Sequence, residues 1–452
     1  AEIDSCLPLK NTSGFFQGFL ILTTMNLPRA VAINTLSQYA SRLGVLVFSF
    51  LTTSLLTRVL GQAGYGQFGI ITTAIIFFVT LADWGTHAVG VRDASKNPSQ
   101  ALKIFSTSAL LRTALAIISV LLYLIFIFVY PAFTSIRIPA LIATPLIILL
   151  SLRVTAVIVL HTQLKLYIPA VTEFITSLFF FLLLTYYLSL NRPVTLDLVI
   201  LFIVAGTLIS SIVTLLPALK FLPISRFNLT LTKRLLKEVA PMGAYLVTFS
   251  IYNRADTFIL QFLKGDAAVG VYVLAYKVHE NLVLGAAYLM NSLYPLLARP
   301  DSQARIIFQK ALSLLLAIAI AVAALVFIFA PQIINLLGGP AFSSSALVLR
   351  MLIFATVVSY LNHLTGYTLI AIGKQFASLK FALLALFLNI SLNLILIPRY
   401  SFVAAAVVTI ITETVMLVLT ALALWRQRFS FRPQNLLHLL RDLLLIRLKF
   451  LP

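Results

Sequence analysis

Long apolar runs separated by short polar connections make up most of the chain. Reading the runs between Pro, Gly, Asn and basic residues predicts helices at 37–60, 66–91, 102–130, 136–160, 167–190, 195–219, 238–263, 268–297, 307–335, 343–372, 375–397 and 401–425. A helix needs about 20 mostly apolar residues to cross a bilayer core. The runs are continuous where the strands of a barrel would alternate apolar and polar positions. The pattern predicts an all-α integral membrane protein of about twelve transmembrane helices.

The order of the runs predicts two lobes. The longest basic connection, residues 220–237, divides the predicted helices into six and six. Because six is even, both halves enter the membrane from the same side and can be parallel repeats. Two similar motifs lie 204 positions apart, as such a repeat would produce: Gly-Gln-Phe at 66–68 and Gly-Val-Tyr at 270–272. We predict an N-lobe over 37–219, a cytoplasmic linker over 220–237 and a C-lobe over 238–425.

The two ends of the chain are predicted to lie outside the lobes. Residues 1–36 form a cytoplasmic segment in which no apolar run is long enough to span, and we expect the biological start at Met25. In the tail, residues 426–452, leucines fall on one helical face and charged residues largely on another. This pattern is typical of a basic amphipathic helix at the membrane interface.

Composition supports a lipid environment. Hydrophobic residues make up 61% of the 452 residues and charged residues only 10%, which is too apolar for a water-facing globule. The formal charge of +20 comes from 33 Lys and Arg against 13 Asp and Glu. Basic residues of membrane proteins gather in cytoplasmic loops and contact anionic lipids. We therefore expect membrane lipids as partners and no nucleic acid.

Alternate connections differ sharply in their basic residues. One set collects most of the Lys and Arg residues, whereas the other set holds only Arg58, Arg137, Arg192, Lys264 and Arg399. By the positive-inside rule, both termini then lie in the cytoplasm and the protein lies in the inner (cytoplasmic) membrane. The sparse connections are too short for an extracytoplasmic catalytic domain. We therefore expect a carrier rather than an enzyme.

Signatures of soluble enzymes and of metal sites are absent from the sequence. The chain has one cysteine, Cys6, and no Cys/His cluster with metal-ligand spacing. The pair Gly373-Lys374 has Thr368 where the first Gly of a phosphate-binding loop belongs. We expect no metal, no cofactor and no catalytic residue.

Ionisable residues inside the predicted helices are the candidate site. Each costs about 3 kcal/mol or more in the bilayer unless it is paired or faces a wet cavity. The smaller cluster consists of Arg42 in helix one and Asp83 in helix two. The larger cluster lies on helices seven and eight and consists of Arg254, Asp256, Lys277, His279 and Glu280. Each cluster is either an ion pair that locks two helices or part of a cationic cavity for an anionic headgroup.

Two further carboxylates, Glu173 and Glu413, have no obvious partner in the sequence. Each either couples transport to protons or sodium ions or is a packing residue whose carboxylate is hydrogen-bonded by neighbouring groups.

Several short motifs occur in a specific order. Residues 60–68 match Leu-Gly-x-x-x-Tyr-Gly-x-Phe, residues 81–85 give Asp-aromatic-Gly with Arg92 after it, residues 254–256 give Arg-x-Asp, and residues 270–272 give Gly-x-Tyr. In these motifs the chain resembles bacterial oligosaccharide flippases, the O-antigen and exopolysaccharide transporters of the multidrug/oligosaccharidyl-lipid/polysaccharide exporter superfamily. The resemblance covers most of residues 37–425.

The resemblance implies two six-helix lobes around a central cavity that opens to alternate sides. It also implies a polyprenyl-diphosphate oligosaccharide as cargo, in surface polysaccharide synthesis with polymerase and chain-length machinery as partners. From their depth we select Arg42, Arg254 and Lys277 as the cavity cations. Asp256 and Glu280 keep a cation-coupled multidrug exporter open as the alternative, whereas a membrane glycosyltransferase or ligase is disfavoured by the short outer connections.

Overall fold

The structure is a computed structural model that describes residues 27–96, 101–163, 165–219, 229–298 and 302–429. These ranges contain thirteen α-helices, two short 3₁₀ turns and no strand. In chain order the helices are α1 Leu27–Asp83, α2 Thr86–Lys96, α3 Ala101–Val129, α4 Arg137–Ala143, α5 Pro145–Thr162, α6 Tyr167–Ser189, α7 Leu196–Leu219, α8 Leu229–Tyr252, α9 Ala255–Lys264, α10 Asp266–Leu297, α11 Ser302–Gly338, α12 Ser344–Ala371 and α13 Gln375–Arg426.

The helix lengths account for twelve crossings of a membrane. Helices α1 and α13 have 57 and 52 residues, whereas about 20 residues cross a bilayer core. Each therefore crosses twice, and each turns at its one non-helical residue, Gly61 or Ser401. Among the described residues eight segments are long and apolar enough to span, these two included. The more polar pair α8–α9 and helix α10 supply the remaining two crossings.

Three predicted helices are broken in the structure. The breaks lie at Trp84-Gly85 between α1 and α2, at Thr144 between α4 and α5, and at Asn253-Arg254 between α8 and α9. Both Trp84 and Gly85 have positive φ angles, 42° and 79°, which end the helical hydrogen bonding. The apolar runs predicted continuous helices here because hydrophobicity is unchanged across a break.

Two helices begin far earlier than the sequence predicted, by more than two helical turns. Helix α1 begins at Leu27 rather than near 37, and α8 begins at Leu229, inside the predicted linker. The predicted start at Met25, the first half of the linker and nearly all of the interfacial tail fall on residues 1–26, 220–228 and 430–452, which lie outside the described residues.

Both lobes carry a matching turn in their cores. The chain passes from α3 to α4 through Pro131–Thr134 and from α11 to α12 through Pro340–Phe342, and both 3₁₀ turns begin Pro-Ala-Phe. Phe133 and Phe342 are fully buried in the main hydrophobic core. Large apolar side chains such as Ile125 remain exposed on the outer faces, where lipid is their solvent.

The bundle has two ends that carry different residues. We call the end that contains Arg92, Arg234 and Glu238 the basic end, and the end that contains the turns at Gly61 and Gly265 the opposite end. Helices α1 and α10 form the largest contact between the lobes.

Candidate functional site

The polar cluster in the C-lobe separates into an ion pair and a buried carboxylate. An Nη of Arg254 lies 2.5 Å from a carboxylate oxygen of Glu280. Asp256 is 2% exposed and accepts hydrogen bonds from the Tyr272 hydroxyl at 2.5 Å and the Thr257 backbone N–H at 2.6 Å. Of the ionisable residues in this predicted cluster, Arg254 and Glu280 form the ion pair that joins two helices, whereas Asp256 is bonded to neutral donors.

Lys277 faces the space between the lobes. It lies one helical turn beyond Val273, which packs beside Gly69 of the N-lobe, and residues four apart share a helix face. Further along α10, Tyr288 stacks on Arg42 of the N-lobe. The stretch from Val273 to Tyr288 is about 22 Å long at 1.5 Å per residue. Between these two contacts, Lys277 is partly exposed and Glu280 is exposed. We call the space between the lobes along this stretch of α10 the cleft.

The Lys277 ammonium group has no hydrogen bond and no ion pair to any described residue; its nearest electrostatic partner is Glu280. Glu280 is already bonded to Arg254, and with Asp256 the cluster holds two cations and two carboxylates, so its formal charge is balanced. Lys277 is the cation of this cluster that has no direct partner among the described residues, and it is therefore the one available to an anion in the cleft. His279, by contrast, is buried and bonded to Thr356 inside the C-lobe.

A second cationic group lies in the N-lobe near the basic end. Arg42 lies 3.3 Å from one carboxylate oxygen of Glu173, and Arg153 lies 3.9 Å from the other. Two guanidinium groups thus share one carboxylate, and Arg42 also contacts the Tyr288 ring of the C-lobe with its guanidinium carbon 5.5 Å from the ring centre. Glu173, which had no partner in the sequence, is the counter-ion of this pair.

Asp83 does not belong with Arg42. An Nη of Arg112 lies 2.6 Å from the Asp83 carboxylate, and the same nitrogen bonds the Thr86 hydroxyl at 3.0 Å. Arg112 is 1% exposed, so this pair locks α1 to α3 inside the N-lobe. The proposed pairing of Arg42 with Asp83 is wrong because α1 turns at Gly61 and places the two residues against different helices.

Glu413 is a buried carboxylate held by neutral donors. It is 7% exposed, and it accepts hydrogen bonds from the Tyr252 hydroxyl at 2.7 Å, the Ser359 hydroxyl at 2.8 Å and the Asn362 amide at 2.7 Å. Within the described residues no cation pairs with it. The site joins α8, α12 and α13.

Sequence reasoning missed the arginines that complete these groups. The sequence analysis assigned Arg112 and Arg153 to the set of connections rich in Lys and Arg, although both residues lie inside predicted helices, 102–130 and 136–160. That position was the available signal. The hydroxyl and amide partners of Glu413 gave no such signal, because Ser, Thr, Tyr and Asn are ordinary residues in membrane helices.

The lobes meet at the opposite end through reciprocal main-chain contacts. A Cβ atom on Gly66 would collide with the carbonyl oxygen of Asp266, and one on Gly270 would collide with the carbonyl oxygen of Gln62. Both pairs are related by the 204-residue repeat. Gly61 and Gly265, also 204 positions apart, have nearly the same backbone, with φ of 65° and 79° and ψ of −173° and −178°. Such reciprocity is what a two-fold axis between the lobes produces.

Hydrogen bonds on both sides of this axis extend the contact. At one side the Thr57 hydroxyl donates to the Leu337 carbonyl at 2.5 Å and Ser54 donates to Leu336 at 2.9 Å. At the other side the Tyr130 hydroxyl donates to the Phe258 carbonyl at 2.7 Å. The acceptors are main-chain carbonyl groups in all three bonds.

The lobes also meet at the basic end, but through side chains. Glu238 on α8 is bonded to Arg92 of the N-lobe and, at 2.8 Å, to Arg234 on its own helix. Asp93 lies 3.7 Å from Arg234. The guanidinium groups, chiefly that of Arg234, lower the pKa of the Glu238 carboxyl group, which precedes the apolar part of α8.

Known proteins share this fold and parts of this sequence. Residues 28–300 match the family described as Polysaccharide biosynthesis protein, and residues 241–395 match the family described as MatE. The probable low-salt glycan biosynthesis flippase Agl15 of Haloferax volcanii is 22% identical over 188 residues. That match covers 40% of this chain and 39% of the relative, so it spans well under two thirds of the relative's length.

Solved structures match over nearly the whole chain. The lipid II flippase MurJ in an inward closed conformation superposes with a TM-score of 0.74 at 15% identity and covers 93% of each chain. An inward-facing multidrug resistance MATE family transporter superposes with a TM-score of 0.67 at 15% identity, covering 86% of this chain and 98% of its own. At these identities the likeness establishes the two-lobe fold.

Proposed function

Because the chain belongs to the polysaccharide biosynthesis protein family, we propose that it moves a polyprenyl-diphosphate-linked oligosaccharide across the cytoplasmic membrane by alternating access. The basic end then faces the cytoplasm, as the distribution of Lys and Arg favours. The translocated glycan serves surface polysaccharide synthesis, in which polymerase and chain-length machinery would receive it. Agl15, described as a probable glycan biosynthesis flippase, supports a lipid-linked glycan as cargo.

The observation that carries this proposal is the unpaired Lys277 in the cleft between the lobes. Moving a diphosphate through hydrocarbon unaided is prohibitively costly, so a carrier must offer a wet path with compensating positive charge. Lys277, with Arg254 beside it, supplies that charge at mid-depth, and Arg42 with Arg153 supplies it near the basic end. The prenyl chain remains in lipid while the headgroup passes between the lobes.

The test is flipping of a fluorescent polyprenyl-diphosphate oligosaccharide in liposomes that contain the purified protein. Accessibility of the label to a membrane-impermeant quencher reports the movement. We expect protein-dependent flipping, and we expect Lys277→Gln to slow it at least about tenfold, the effect of roughly 1.4 kcal/mol. Lys310→Gln, which removes an exposed lysine at the basic end of α11, is the matched control. Unchanged flipping in Lys277→Gln would remove this residue from the site.

We further propose that Glu413 couples transport to a proton or sodium gradient. A buried carboxylate with three neutral donors and no cationic partner among the described residues can take up either ion. Glu413→Gln imitates the protonated group, so flipping by this variant should no longer respond to either gradient. A gradient response equal to that of the wild type would assign Glu413 to packing.

A cation-coupled drug exporter is the second candidate, and the MatE match over residues 241–395 favours it. Its cargo would be cationic and would seek Asp256 or Glu280 rather than Lys277. Drug efflux from the same liposomes without any movement of the lipid-linked oligosaccharide would establish this alternative.

A further inference from the structure

A polar cavity lies at the opposite end of the N-lobe, away from the cleft. It has a volume of about 230 Å³ and lies where the α1 turn, the connection from α3 to α4 and the start of α7 meet. The polar side chains that line it belong to Gln67, Thr134, Ser135, Arg137 and Asp197. At about 30 Å³ per water molecule, the cavity has room for roughly seven waters or one small polar ligand.

Arg137 and Asp197 line this cavity without pairing. No described residue lies within ion-pair or hydrogen-bond distance of either charged group, and Nε of Arg137 and Oδ1 of Asp197 are buried without partners. Among the described residues, the guanidinium group of Arg137 contacts the ring of Phe128, whose centre lies 5.1 Å from the guanidinium carbon. Opposite charges that share a cavity and yet stay apart leave room for a ligand between them, since unmet buried polar groups are costly.

The mixture of donors and acceptors indicates which chemistry fits. Arg137 only donates hydrogen bonds, Asp197 only accepts them, and Gln67 and the two hydroxyl groups do both. An anion would face Asp197, and a cation would face Arg137. A neutral polyol satisfies both groups because each of its hydroxyl groups donates and accepts. Ile138, Pro139 and Leu196 add an apolar wall, which suits the C–H face of a sugar ring.

We propose that this cavity binds a neutral sugar residue, a hexose or an N-acetylhexosamine. As a place for the glycan of the transported lipid it rests on the proposed function, although sugar binding itself can be measured without transport. Gln67 also donates to Asp266 of the C-lobe at 2.8 Å, one residue from the Gly66 contact. A sugar that takes over the Gln67 amide removes one bond between the lobes, so the cavity links glycan arrival to separation of the lobes at this end.

The experiment is saturation-transfer NMR on the full chain in nanodiscs. The probes are methyl glycosides of glucose, galactose, mannose and N-acetylglucosamine at millimolar concentrations. We expect transfer to at least one glycoside above that of empty nanodiscs. Asp197→Asn, which keeps the side-chain shape, and Arg137→Leu should each weaken binding about tenfold, the loss of one hydrogen bond to a charged group. Arg192→Leu, an exposed arginine in the neighbouring connection, is the control and should bind normally.

Two results would overturn the proposal. One is the absence of transfer to all four glycosides in the wild type, and the other is undiminished transfer in Asp197→Asn. If Arg137→Leu unfolds at a lower temperature than the wild type, its weaker binding could reflect lost stability, and the test then rests on glycoside binding by Asp197→Asn alone. Glycoside binding without flipping of the lipid-linked oligosaccharide would reject the proposed function and keep the cavity, whereas flipping without glycoside binding would do the reverse.

Discussion

At the opposite end the lobes meet chiefly through main-chain atoms, whereas at the basic end they meet through charged side chains. The Gly66 and Gly270 contact requires the absence of a side chain on both helices. Three neighbouring hydrogen bonds end on main-chain carbonyl groups, and one, from Gln67, ends on the Asp266 carboxylate. The Arg92–Glu238 pair joins side chains that are 46% and 30% exposed. Exposed ion pairs typically contribute about 0.2–1 kcal/mol and are screened by salt.

The difference indicates how each end responds to its surroundings. A close approach of two backbones depends on shape alone and does not change with salt or pH. The ion pairs of the basic end weaken as ionic strength rises or as the carboxylate takes up a proton. We therefore expect the basic end to open more readily, which suits an end that receives cargo from the cytoplasm in the proposed function.

The largest effect is expected from Gly66→Ala at the opposite end. The new Cβ meets the Asp266 carbonyl, and backbone cannot move aside as a side chain can. Spin labels at the exposed positions Ala63→Cys and Ala267→Cys, in a Cys6→Ser background, should move apart by several ångström. Transport should fall at least about tenfold, which corresponds to roughly 1.4 kcal/mol.

The control for this prediction is Gly366→Ala. Nothing lies within 4 Å of the Cβ that it adds, so label distances and transport should match those of the parent. An unchanged label distance in Gly66→Ala would show that the glycine contact does not hold this end closed.

A smaller effect is expected from Gly243→Ala at the basic end. Here the new Cβ meets the ring of Trp84, which is a side chain and can rotate away. The chain has two tryptophans, so Trp425→Phe leaves Trp84 as the single fluorescent reporter. Its emission should shift to longer wavelength as the ring becomes wetter, with transport reduced only several-fold. A loss of transport as large as that of Gly66→Ala would abolish the distinction between the two ends.

Next in size is removal of the ion pair itself. Arg92→Gln should raise the ratio of open to closed molecules at the basic end by up to about fivefold, since such pairs contribute at most about 1 kcal/mol. The double variant Arg92→Glu with Glu238→Arg should restore much of the Trp84 signal. Equal spectra for the single and double variants would mean that the pair makes no contact in solution.

The smallest effect is expected from pH. The lowered pKa of Glu238 means that its contribution to closure is complete above the ordinary carboxyl pKa and is lost as pH falls through the lowered value. Trp84 emission should therefore shift at acidic pH in the wild type and should not respond in Glu238→Gln. The spin-label distance at the opposite end should stay constant over the same range.

Much of the fold could be predicted because crossing a membrane sets the length of each apolar run. Helices α6 and α7, at Tyr167–Ser189 and Leu196–Leu219, agree with the predictions 167–190 and 195–219 within one residue. The breaks at Trp84-Gly85 and Asn253-Arg254 could not be predicted in this way. They depend on backbone angles that packing stabilises, and apolar runs do not record them.

The candidate site was predicted in its residue types but less well in its partners. Arg42, Glu173, Asp83, Arg254 and Glu280 form ion pairs, whereas Lys277, Asp256 and Glu413 form none with any described residue. The pairing of Arg42 with Asp83 was wrong, whereas the C-lobe cluster does contain an ion pair between two helices, Arg254 with Glu280. The sequence does not select the partners, because they lie on helices that only packing brings together.

The sequence by itself determined that the chain is an all-α membrane protein of about twelve crossings, and its two similar motifs 204 positions apart indicated the repeat. The reason is that solvation by lipid requires about 20 apolar residues for every crossing, which is a local property. The tertiary structure decided that Gly66 meets Gly270, that Lys277 stays unpaired and that Arg137 and Asp197 share a cavity. These features depend on the distance between helices far apart in the chain, which hydrophobic pattern does not specify.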